Sequence, residues 1–350
     1  MYKKLLAWSK DQHSHLPWRE NRSLYLTLVS EIMLQQTTVQ TVVNHIDRFI
    51  DKYPTLEVLA SSNEEDVCIA WKGLGYYRRA RNLLSAAKEI QEKYQGEIPI
   101  DIEELKKIKG IGDYTANAIV GIGAGKRALA VDANLERVIA RLFAIDTIKG
   151  PKLQKEIYKR FYNGEILKEL THRNSRELNE AFMDLGRVLC QSRRVDCLLC
   201  PMQKSCLSFK NGIVEQIPHV VEKKTEKHEL ELLRVIVSKK QEVLGYVKDE
   251  NEWLQGQIEL PTFTLSSSDK TFSQYPSSPI NITRKKLLDN VQIKSSITKY
   301  KISNYIVEYS LEEFKDLFSN VEKYKFYKKD LDKVNFSSIT LKIIKKIKLV

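Results

Sequence analysis

Two acidic side chains lie where a carboxyl group could take part in catalysis. Glu31 lies in the run SEIMLQQT, within a largely apolar segment of helical spacing. A carboxyl group buried in such surroundings has a raised pKa and can hold a proton near neutrality, as a general acid must. Asp132 lies in VDAN, at the expected start of a helix. The alternatives are an exposed helix charge for Glu31 and a simple helix cap for Asp132.

A glycine turn lies upstream of Asp132. The run EELKKI predicts a short helix, Gly110 and Gly112 then turn the chain, and a second helix begins near Asp113, which could cap it. Two glycines one residue apart allow a sharp turn that exposes backbone N–H groups. Together with a helix N-terminus, these groups could hold one DNA phosphate. Because glycine turns are common, this motif alone does not establish phosphate binding.

Four cysteines are crowded into residues 190–206, with six, two and five residues between Cys190, Cys197, Cys200 and Cys206. Thiolates this close in a chain without secretory features indicate a metal centre. Four thiolates also satisfy tetrahedral zinc, so a structural zinc is the alternative. Zinc sites usually use two close cysteine pairs, whereas this segment has one, so the spacing favours an iron–sulfur cluster. Cys68 stands apart and is expected to be an inert core residue.

Residues 73–81, GLGYYRRAR, join a glycine turn to two tyrosines and three arginines. Interleaved rings and guanidinium groups suit stacking on bases and contact with phosphates. For Tyr77, packing in a helical core is the competing interpretation. The formal net charge of the whole chain is +12, which also indicates a polyanionic partner.

These residues are positioned by two regions of different character. The apolar spacing is helical from Tyr25 to Tyr53 and in several later segments, and strand patterns are nearly absent before residue 230. After that point, β-branched runs predict strands, with a Ser-rich loop between Phe263 and Pro279. The sequence therefore predicts a helical domain over 1–210, a linker over 211–228 and a mixed α and β domain over 229–350.

The N-terminal segment has two lysines but neither an apolar signal core nor a small-residue cleavage site. No apolar run approaches the roughly 18 residues needed to span a bilayer. We therefore expect a cytoplasmic protein that does not bind membranes.

The hairpin with Asp132, followed by the four spaced cysteines, resembles the helix-hairpin-helix DNA glycosylase superfamily that includes endonuclease III. LPWR, SEIMLQQT, GLGYYRRARNL and the second domain are similar to its adenine DNA glycosylase branch, which removes adenine mispaired with 8-oxoguanine or guanine. The resemblance is strong from residue 16 to about 210 and weak beyond. It implies a mostly α core of two lobes with a 4Fe–4S cluster loop at 190–206 and a C-terminal α+β Nudix-like domain. It also implies a monomer whose partner is double-stranded DNA with A:8-oxoguanine or A:G mispairs.

The resemblance also implies roles for individual residues. Glu31 takes the place of the acid that protonates adenine, and Asp132, supported by Asn134, that of the carboxylate that stabilises the sugar cation. Tyr114 stands where strand-cleaving relatives have a lysine, which implies a glycosylase without lyase activity. The residues implied to contact DNA or the extruded base are Arg19, Gln36, Tyr76, Glu180, Gly110 and Gly112, and the implied cluster ligands are Cys190, Cys197, Cys200 and Cys206.

Two positions depart from the family pattern. Ala133 stands between Asp132 and Asn134, where the family usually has glycine. In the second domain, the family's Phe-Ser-His recognition loop is Ile297-Thr298-Lys299 here, which keeps a hydroxyl and loses the imidazole. Thr298 and Lys299 are therefore implied to contact DNA with a weakened preference for 8-oxoguanine. No clustered glutamates of a Nudix catalytic box are present, so we expect no nucleotide hydrolysis.

Two other functions stay open. One is a glycosylase of the same fold that acts on thymine or another base, which Glu180 and the second domain disfavour. The other is a catalytically silent DNA-binding protein that keeps the hairpin and cluster as a scaffold, which requires Glu31 or Asp132 to be misplaced.

Overall fold

The computed structural model describes residues 2–13, 15–221, 226–280, 292–318, 320–331 and 333–346. The chain divides into two compact units, Met1–Glu222 and Lys223–Val350. Helices build the first unit and strands dominate the second, as the sequence patterns predict. Among the residues described, no helix combines the length and the apolar character that a membrane span needs.

The helices of the first unit form two groups. The first group is α2 Pro17–Glu20, α3 Leu24–Leu34, α4 Val39–Lys52, α5 Leu56–Ala60, α6 Glu64–Ala70, α7 Arg78–Tyr94, α8 Ile102–Lys107 and α9 Asp113–Ala118. The second group is α10 Ala133–Leu142, α11 Pro151–Tyr162, α12 Ser175–Val188 and α13 Leu207–Lys210, together with the N-terminal helix α1 Lys3–His13, which packs on α12. A π-helical turn, Ile119–Gly123, continues α9 toward the second group.

Each group is built around its own buried apolar cluster. In the first, Phe49 of α4 packs edge-on against Trp71 at a ring distance of 5.7 Å. In the second, Phe161 of α11 and Phe182 of α12 are fully buried. Burying a large apolar side chain contributes about 1.5–3 kcal/mol, so two such clusters hold two rigid lobes. Cys68 is buried in the first cluster, and burial raises its pKa to about 11, as expected of an inert core thiol.

The helical pattern predicted from Tyr25 to Tyr53 is interrupted. The helices α3 and α4 are separated by Gln35–Thr38, where Gln36 has a left-handed backbone with φ of 57°. The hydroxyl of Thr38 accepts a hydrogen bond from the Thr41 N–H at 3.3 Å and so begins a new helix. Apolar spacing could not reveal this break, because both helices keep their apolar side chains on the core side.

The second unit contains two sheets. The strands are β1 His228–Ile236, β2 Ser238–Lys239, β3 Glu242–Val247, β4 Ile258–Glu259, β5 Thr262–Ser267, β6 Gln292–Ile297, β7 Tyr300–Glu308 and β8 Lys325–Lys328. One sheet has the order β5-β1-β7-β6, with β1 parallel to β7, and in the other β3 pairs with β2, β4 and β8. Two helices, α14 Leu311–Leu317 and α15 Ser338–Lys346, accompany the sheets.

The structure differs from the sequence interpretation at two places outside the site. The Ser-rich segment expected to be a loop begins as strand β5, because Thr262 and Phe263 are buried against β1. The segment expected to be a linker packs in part on the helical unit. There Ile217 is buried, its carbonyl accepts from Arg141 Nε at 2.8 Å, and the His219 carbonyl accepts from the Lys149 N–H at 2.8 Å.

Candidate active site

A cavity of about 1220 Å³ in the first unit is bordered by residues of both lobes. The predicted site residues along its wall are Arg19, Glu31, Gln36, Gly110, Gly112, Tyr114, Asp132, Asn134 and Glu180. The cavity is large enough to admit a nucleobase. Tyr76 lies outside this lining and is 63% exposed. Thr298 and Lys299 belong to the second unit, and the four cysteines follow helix α12.

Glu31 lies in α3 and is only 4% exposed, so the exposed-charge interpretation is wrong. Its Oε2 accepts a short hydrogen bond from the hydroxyl of Tyr114, which lies 83 residues away in the sequence. Burial raises the pKa of Glu31 to about 7, an effect that the Tyr114 hydrogen bond opposes and the charges of Asp132 and Glu180 reinforce. Glu31 can therefore hold a proton near neutral pH, as the sequence predicts for a general acid.

Asp132 is the N-cap of α10. Its Oδ1 accepts from the Asn134 N–H at 3.0 Å and from the Leu135 N–H at 2.6 Å, and its Oδ2 accepts from Asn134 Nδ2 at 3.0 Å. Burial raises the pKa of Asp132, although these hydrogen bonds lower it. The capping interpretation is thus confirmed, and it does not exclude a functional role, because the same carboxylate lines the cavity.

Arg137 continues the contacts of Asn134 toward the cysteine segment. Its Nη2 donates to Asn134 Oδ1 at 3.0 Å and to the Gly186 carbonyl at 2.7 Å, and its Nε donates to the Cys190 carbonyl at 2.7 Å. A Cβ at Gly186 would lie 2.7 Å from Asn134 Cβ, so α12 approaches α10 this closely only because residue 186 is a glycine. The Asn134 side chain is therefore held by Asp132 on one side and by Arg137 on the other.

Two arginines hold the carboxylates of α12. Arg22 binds Glu180 through both nitrogens of its fork, at 2.7 and 3.0 Å, and Arg19 Nη1 lies 2.8 Å from Asp184 Oδ2. Arg22 and Asp184 are site residues that the sequence motifs do not single out. Asp184 could have been predicted, because it follows Glu180 by four residues and so lies on the same helix face. Ser9 also donates to Asp184, at 2.7 Å, which fixes this carboxylate further.

The two hairpin glycines differ in how strongly their surroundings require glycine. Gly110 has a φ of 93°, and a Cβ there would lie 2.8 Å from Asn82 Cβ, so both conformation and packing require glycine. Gly112 has an extended backbone with open space around a virtual Cβ, and it occupies the N-cap position of α9. The prediction that Asp113 caps α9 is therefore wrong. Asp113 is the first helical residue, and its carboxylate lies 3.0 Å from the Lys106 ammonium.

The adjacent tyrosines of the turn before α7 point to different environments. Tyr77 is 8% exposed and packs in the first lobe, which confirms the core interpretation for this residue. Tyr76 is exposed and has a left-handed backbone with φ of 47°. Its conformation resembles that of Gln36, another exposed residue that the resemblance implies to contact DNA.

The thiol groups of Cys190, Cys197, Cys200 and Cys206 lie near one another. Burial first, and then the neighbouring thiols, raise the pKa of both Cys200 and Cys206. In the described part of the chain, no three His, Cys, Asp or Glu side chains meet closely enough to hold a single ion. Thiolates around a 4Fe–4S cubane lie farther apart than those on one zinc, because irons and sulfides separate them. Arg141 Nη1 donates to Cys190 Sγ at 3.3 Å, so a cation lies beside this sulfur, and four thiols are a donor set that an iron–sulfur cluster can use.

Residues 29–163 match the HhH-GPD superfamily of base excision DNA repair proteins. The chain is similar to the adenine DNA glycosylase of Buchnera aphidicola subsp. Acyrthosiphon pisum, with 33% identity over 258 residues, 73% of this chain and 69% of that protein. It is also similar to the adenine DNA glycosylase of Homo sapiens, with 35% identity over 61% of this chain and 40% of that protein. Among solved structures, a thermostable thymine-DNA glycosylase matches with a TM-score of 0.51 and 28% identity, covering 59% of this chain and 94% of that chain.

Proposed function

We propose a function from one premise: the chain belongs to the adenine DNA glycosylase family, within the HhH-GPD superfamily of base excision DNA repair proteins. The protein hydrolytically removes adenine mispaired with 8-oxoguanine or guanine in double-stranded DNA and leaves an abasic site. The observation that carries this proposal is the buried Glu31, with a pKa raised to about 7, in the same cavity wall as Asp132.

Glu31 supplies the proton of the reaction. Adenine leaves the sugar as a poor anion unless one of its ring nitrogens is protonated while the N-glycosyl bond breaks. The carboxyl group of Glu31 donates that proton, and the electron pair of the broken bond stays on the base. The Tyr114 hydroxyl donates a hydrogen bond to Oε2 and so orients the carboxyl group, which leaves Oε1 free to carry the proton for the base. Tyr114 has no amine that could attack the sugar.

Asp132 faces the positive charge that develops on the sugar. A carboxylate placed in a cavity with little water stabilises this charge more strongly than one in bulk solvent. Three hydrogen bonds from Asn134 and Leu135 fix the position of Asp132, so it does not have to reorganise during the reaction. A water molecule then adds to the sugar carbon, and its proton returns to the carboxylate of Glu31.

The remaining residues of the site bring the base into the cavity. Extruding a base costs a few kcal/mol, which a mismatch reduces and wedging side chains offset. Gln36 and Tyr76 are exposed and suit this wedging role. The Gly110–Gly112 turn holds a backbone phosphate, and Glu180, oriented by Arg22, contacts the extruded adenine.

Single-turnover excision on a panel of defined duplexes tests this function. We expect cleavage of the glycosyl bond with adenine opposite 8-oxoguanine or guanine, and little activity on thymine mispairs or on undamaged pairs. Preferential release of thymine would show that the substrate is thymine and not adenine. Binding to the mispairs without release of any base would identify a silent DNA-binding protein.

Replacing Tyr114 by lysine should introduce a strand-cleaving side reaction. The amine would stand next to Glu31, where lyase-competent relatives have theirs, and could attack the sugar to form a Schiff base. We expect a DNA adduct that borohydride traps with Tyr114→Lys, and little adduct with the wild type. Tyr114→Phe is the matched control, since it removes the hydroxyl without adding a nucleophile. Strong trapping by the wild type would contradict the monofunctional reaction.

The four cysteines should hold a 4Fe–4S cluster in the purified protein. Cys190, Cys197, Cys200 and Cys206 would hold the cluster and so join the segment after α12 into one unit. We expect a yellow-brown protein with about four irons and little zinc. Cys197→Ser should reduce iron content and weaken DNA binding more than excision from bound DNA, whereas Cys68→Ser should keep the iron. Stoichiometric zinc without broad visible absorption would contradict the assignment.

The turn between β6 and β7 is proposed to read the base opposite adenine. Thr298 lies in this turn with φ of 49°, and the Lys299 ammonium lies 2.8 Å from Asp269 Oδ2. An imidazole at position 299 could donate one ring N–H to Asp269 and present its other nitrogen to a base. Lys299→His should therefore widen the preference for 8-oxoguanine over guanine by about ten- to a hundredfold, since a specific base contact is worth about 1–3 kcal/mol.

The ratio of single-turnover excision rates on the A:8-oxoguanine and A:G duplexes measures this preference. Lys301→His is the matched control, because Lys301 is an exposed lysine at the start of β7, two residues after Lys299. An unchanged ratio in Lys299→His would show that this turn does not read the oxidised base.

A further inference from the structure

Arg79 is a buried cation whose partners are neutral. It lies in the first turn of α7 and is 7% exposed. Its two terminal nitrogens donate to five backbone carbonyls and one hydroxyl. These acceptors are the carbonyls of Ile32 at 3.1 Å, Met33 at 2.7 Å, Gln35 at 2.5 Å, Leu74 at 2.9 Å and Gly75 at 3.1 Å, and the Thr37 hydroxyl at 2.9 Å. Burial lowers the pKa of this guanidinium.

The six acceptors belong to two segments that are distant in sequence. One is the end of α3 and the break that follows it, and the other is the turn before α7. Gln35, whose carbonyl Arg79 holds, directly precedes Gln36, and Gly75, whose carbonyl it also holds, directly precedes Tyr76. The same guanidinium therefore fixes the residue before each of the two exposed side chains proposed to enter the duplex.

Both of these exposed residues have a conformation that non-glycine residues rarely adopt, with φ of 57° at Gln36 and 47° at Tyr76. Such backbones persist only where the surroundings determine them strongly. Besides the bonds of Arg79, the hydrogen bond described between the two segments is long, from the Thr37 hydroxyl to the Leu74 carbonyl at 3.5 Å. The guanidinium centre lies 5.6 Å from the Tyr76 ring centroid, so Arg79 also makes a cation–π contact with this ring.

Burying a charge without a counterion is costly, and only many hydrogen bonds of good geometry offset that cost. Arginine can provide them, because the four N–H groups of its two terminal nitrogens point in fixed directions and can each be shared between acceptors, although Arg79 Nε has no hydrogen-bond partner among the described residues. Lysine at this position would keep the charge but could not reach both segments with its single nitrogen. A helix cap or a turn within one segment can form without a buried cation. A link between the carbonyls of two segments needs a group that donates in several directions, as a guanidinium does.

We propose that Arg79 is a positioning residue that joins the Gln35–Thr38 break and the Gly73–Tyr77 turn into one rigid wedge, so that Gln36 and Tyr76 enter the duplex together. This inference rests on the proposed function, because it takes their wedging role from there. Arg79 touches neither the base nor the catalytic carboxylates, so it acts on extrusion of adenine and leaves bond cleavage unaffected.

The test compares Arg79→Lys with Arg48→Lys on two duplexes. Arg48 is an exposed arginine of the same lobe that contacts only the Lys72 carbonyl within the described residues, at 3.5 Å, so the control keeps the type of change and the charge. One duplex carries adenine opposite 8-oxoguanine, and the other carries adenine opposite an abasic site, where no partner base resists extrusion. Arg79→Lys should slow single-turnover excision about ten- to a hundredfold on the first duplex and much less on the second. Arg48→Lys should match the wild type on both. Equal losses on the two duplexes would overturn the inference.

A second comparison separates this inference from the proposed function. In a Gln36→Ala, Tyr76→Ala background, Arg79→Lys should add no further loss, because the residues through which it acts are gone. If that background is fully active, the proposed wedging roles fail. If the background is impaired and Arg79→Lys alone is not, the wedging roles stand and the positioning role of Arg79 fails.

Thr37→Val takes the place of Arg79→Lys in this test if the melting curve of Arg79→Lys shows that it does not fold. This variant removes one acceptor of the guanidinium and keeps the arginine itself. Its loss of excision should be smaller and should again be confined to the duplex with a partner base. Loss on both duplexes, or on neither, would overturn the inference.

Discussion

Glu31→Gln is expected to abolish adenine excision while leaving mispair binding nearly intact. Glutamine keeps the size of the side chain, and its amide oxygen can still accept the Tyr114 hydrogen bond, but it cannot transfer a proton to the leaving base. A general acid typically contributes about a hundred- to ten-thousandfold to the rate. Single-turnover excision and equilibrium binding to the same duplex measure the two effects separately. A rate within about twofold of the wild type would contradict the assignment.

The pH dependence of the wild type provides an independent check on the same residue. Because Glu31 acts in its protonated form and its pKa is about 7, excision should fall as the pH rises above 7. Tyr114→Phe removes a hydrogen bond that lowers this pKa, so the decline should move to higher pH. A decline centred near pH 4 to 5, the range of an ordinary glutamate, would exclude Glu31 as the acid.

Asp132→Asn is expected to lose about a hundred- to a thousandfold in single-turnover rate, the cost of removing one electrostatic group from a reacting centre. The substitution removes the negative charge that faces the sugar cation. It keeps the backbone cap, because the amide oxygen of asparagine can still accept from the Asn134 and Leu135 N–H groups, and only the bond from Asn134 Nδ2 to Oδ2 is lost. The folded structure and its melting temperature should therefore change little, while the rate falls steeply.

Asp101→Asn is the matched control for this substitution. Asp101 caps α8 in the same way, accepting from the Glu103 N–H at 2.9 Å and the Glu104 N–H at 3.0 Å, and it lies outside the cavity lining. Both variants should show similar small changes in melting temperature, and only Asp132→Asn should lose excision. If Asp132→Asn keeps the rate of the wild type, the carboxylate serves only as a cap.

Some features of this protein follow from the sequence alone because they depend on near neighbours in the chain. The apolar run around Glu31 predicts its burial, and the glycine spacing predicts the hairpin. The change to β-branched runs near residue 230 predicts the second unit, whose first described strand begins at His228. Each of these rests on a local period or on fixed spacings, which the backbone converts directly into structure.

Local patterns also failed where a contact distant in sequence decided the outcome. The break at Gln35–Thr38 could not be predicted, because Arg79 satisfies the carbonyls freed there from 44 to 47 residues away. The start of the Ser-rich stretch belongs to strand β5, because it pairs with β1.

Only the tertiary structure decided which groups meet in the cavity. Tyr114 reaches Glu31 across 83 residues, and Arg22 reaches Glu180 across 158. Nothing in the spacing of these residues specifies such pairs, because the separation between two side chains is set by how the lobes pack. The pKa of Glu31 depends on the same packing, since burial and the charges of Asp132 and Glu180 together raise it. The residue types that could do the chemistry are therefore written in the sequence, whereas their protonation and mutual orientation arise from the fold.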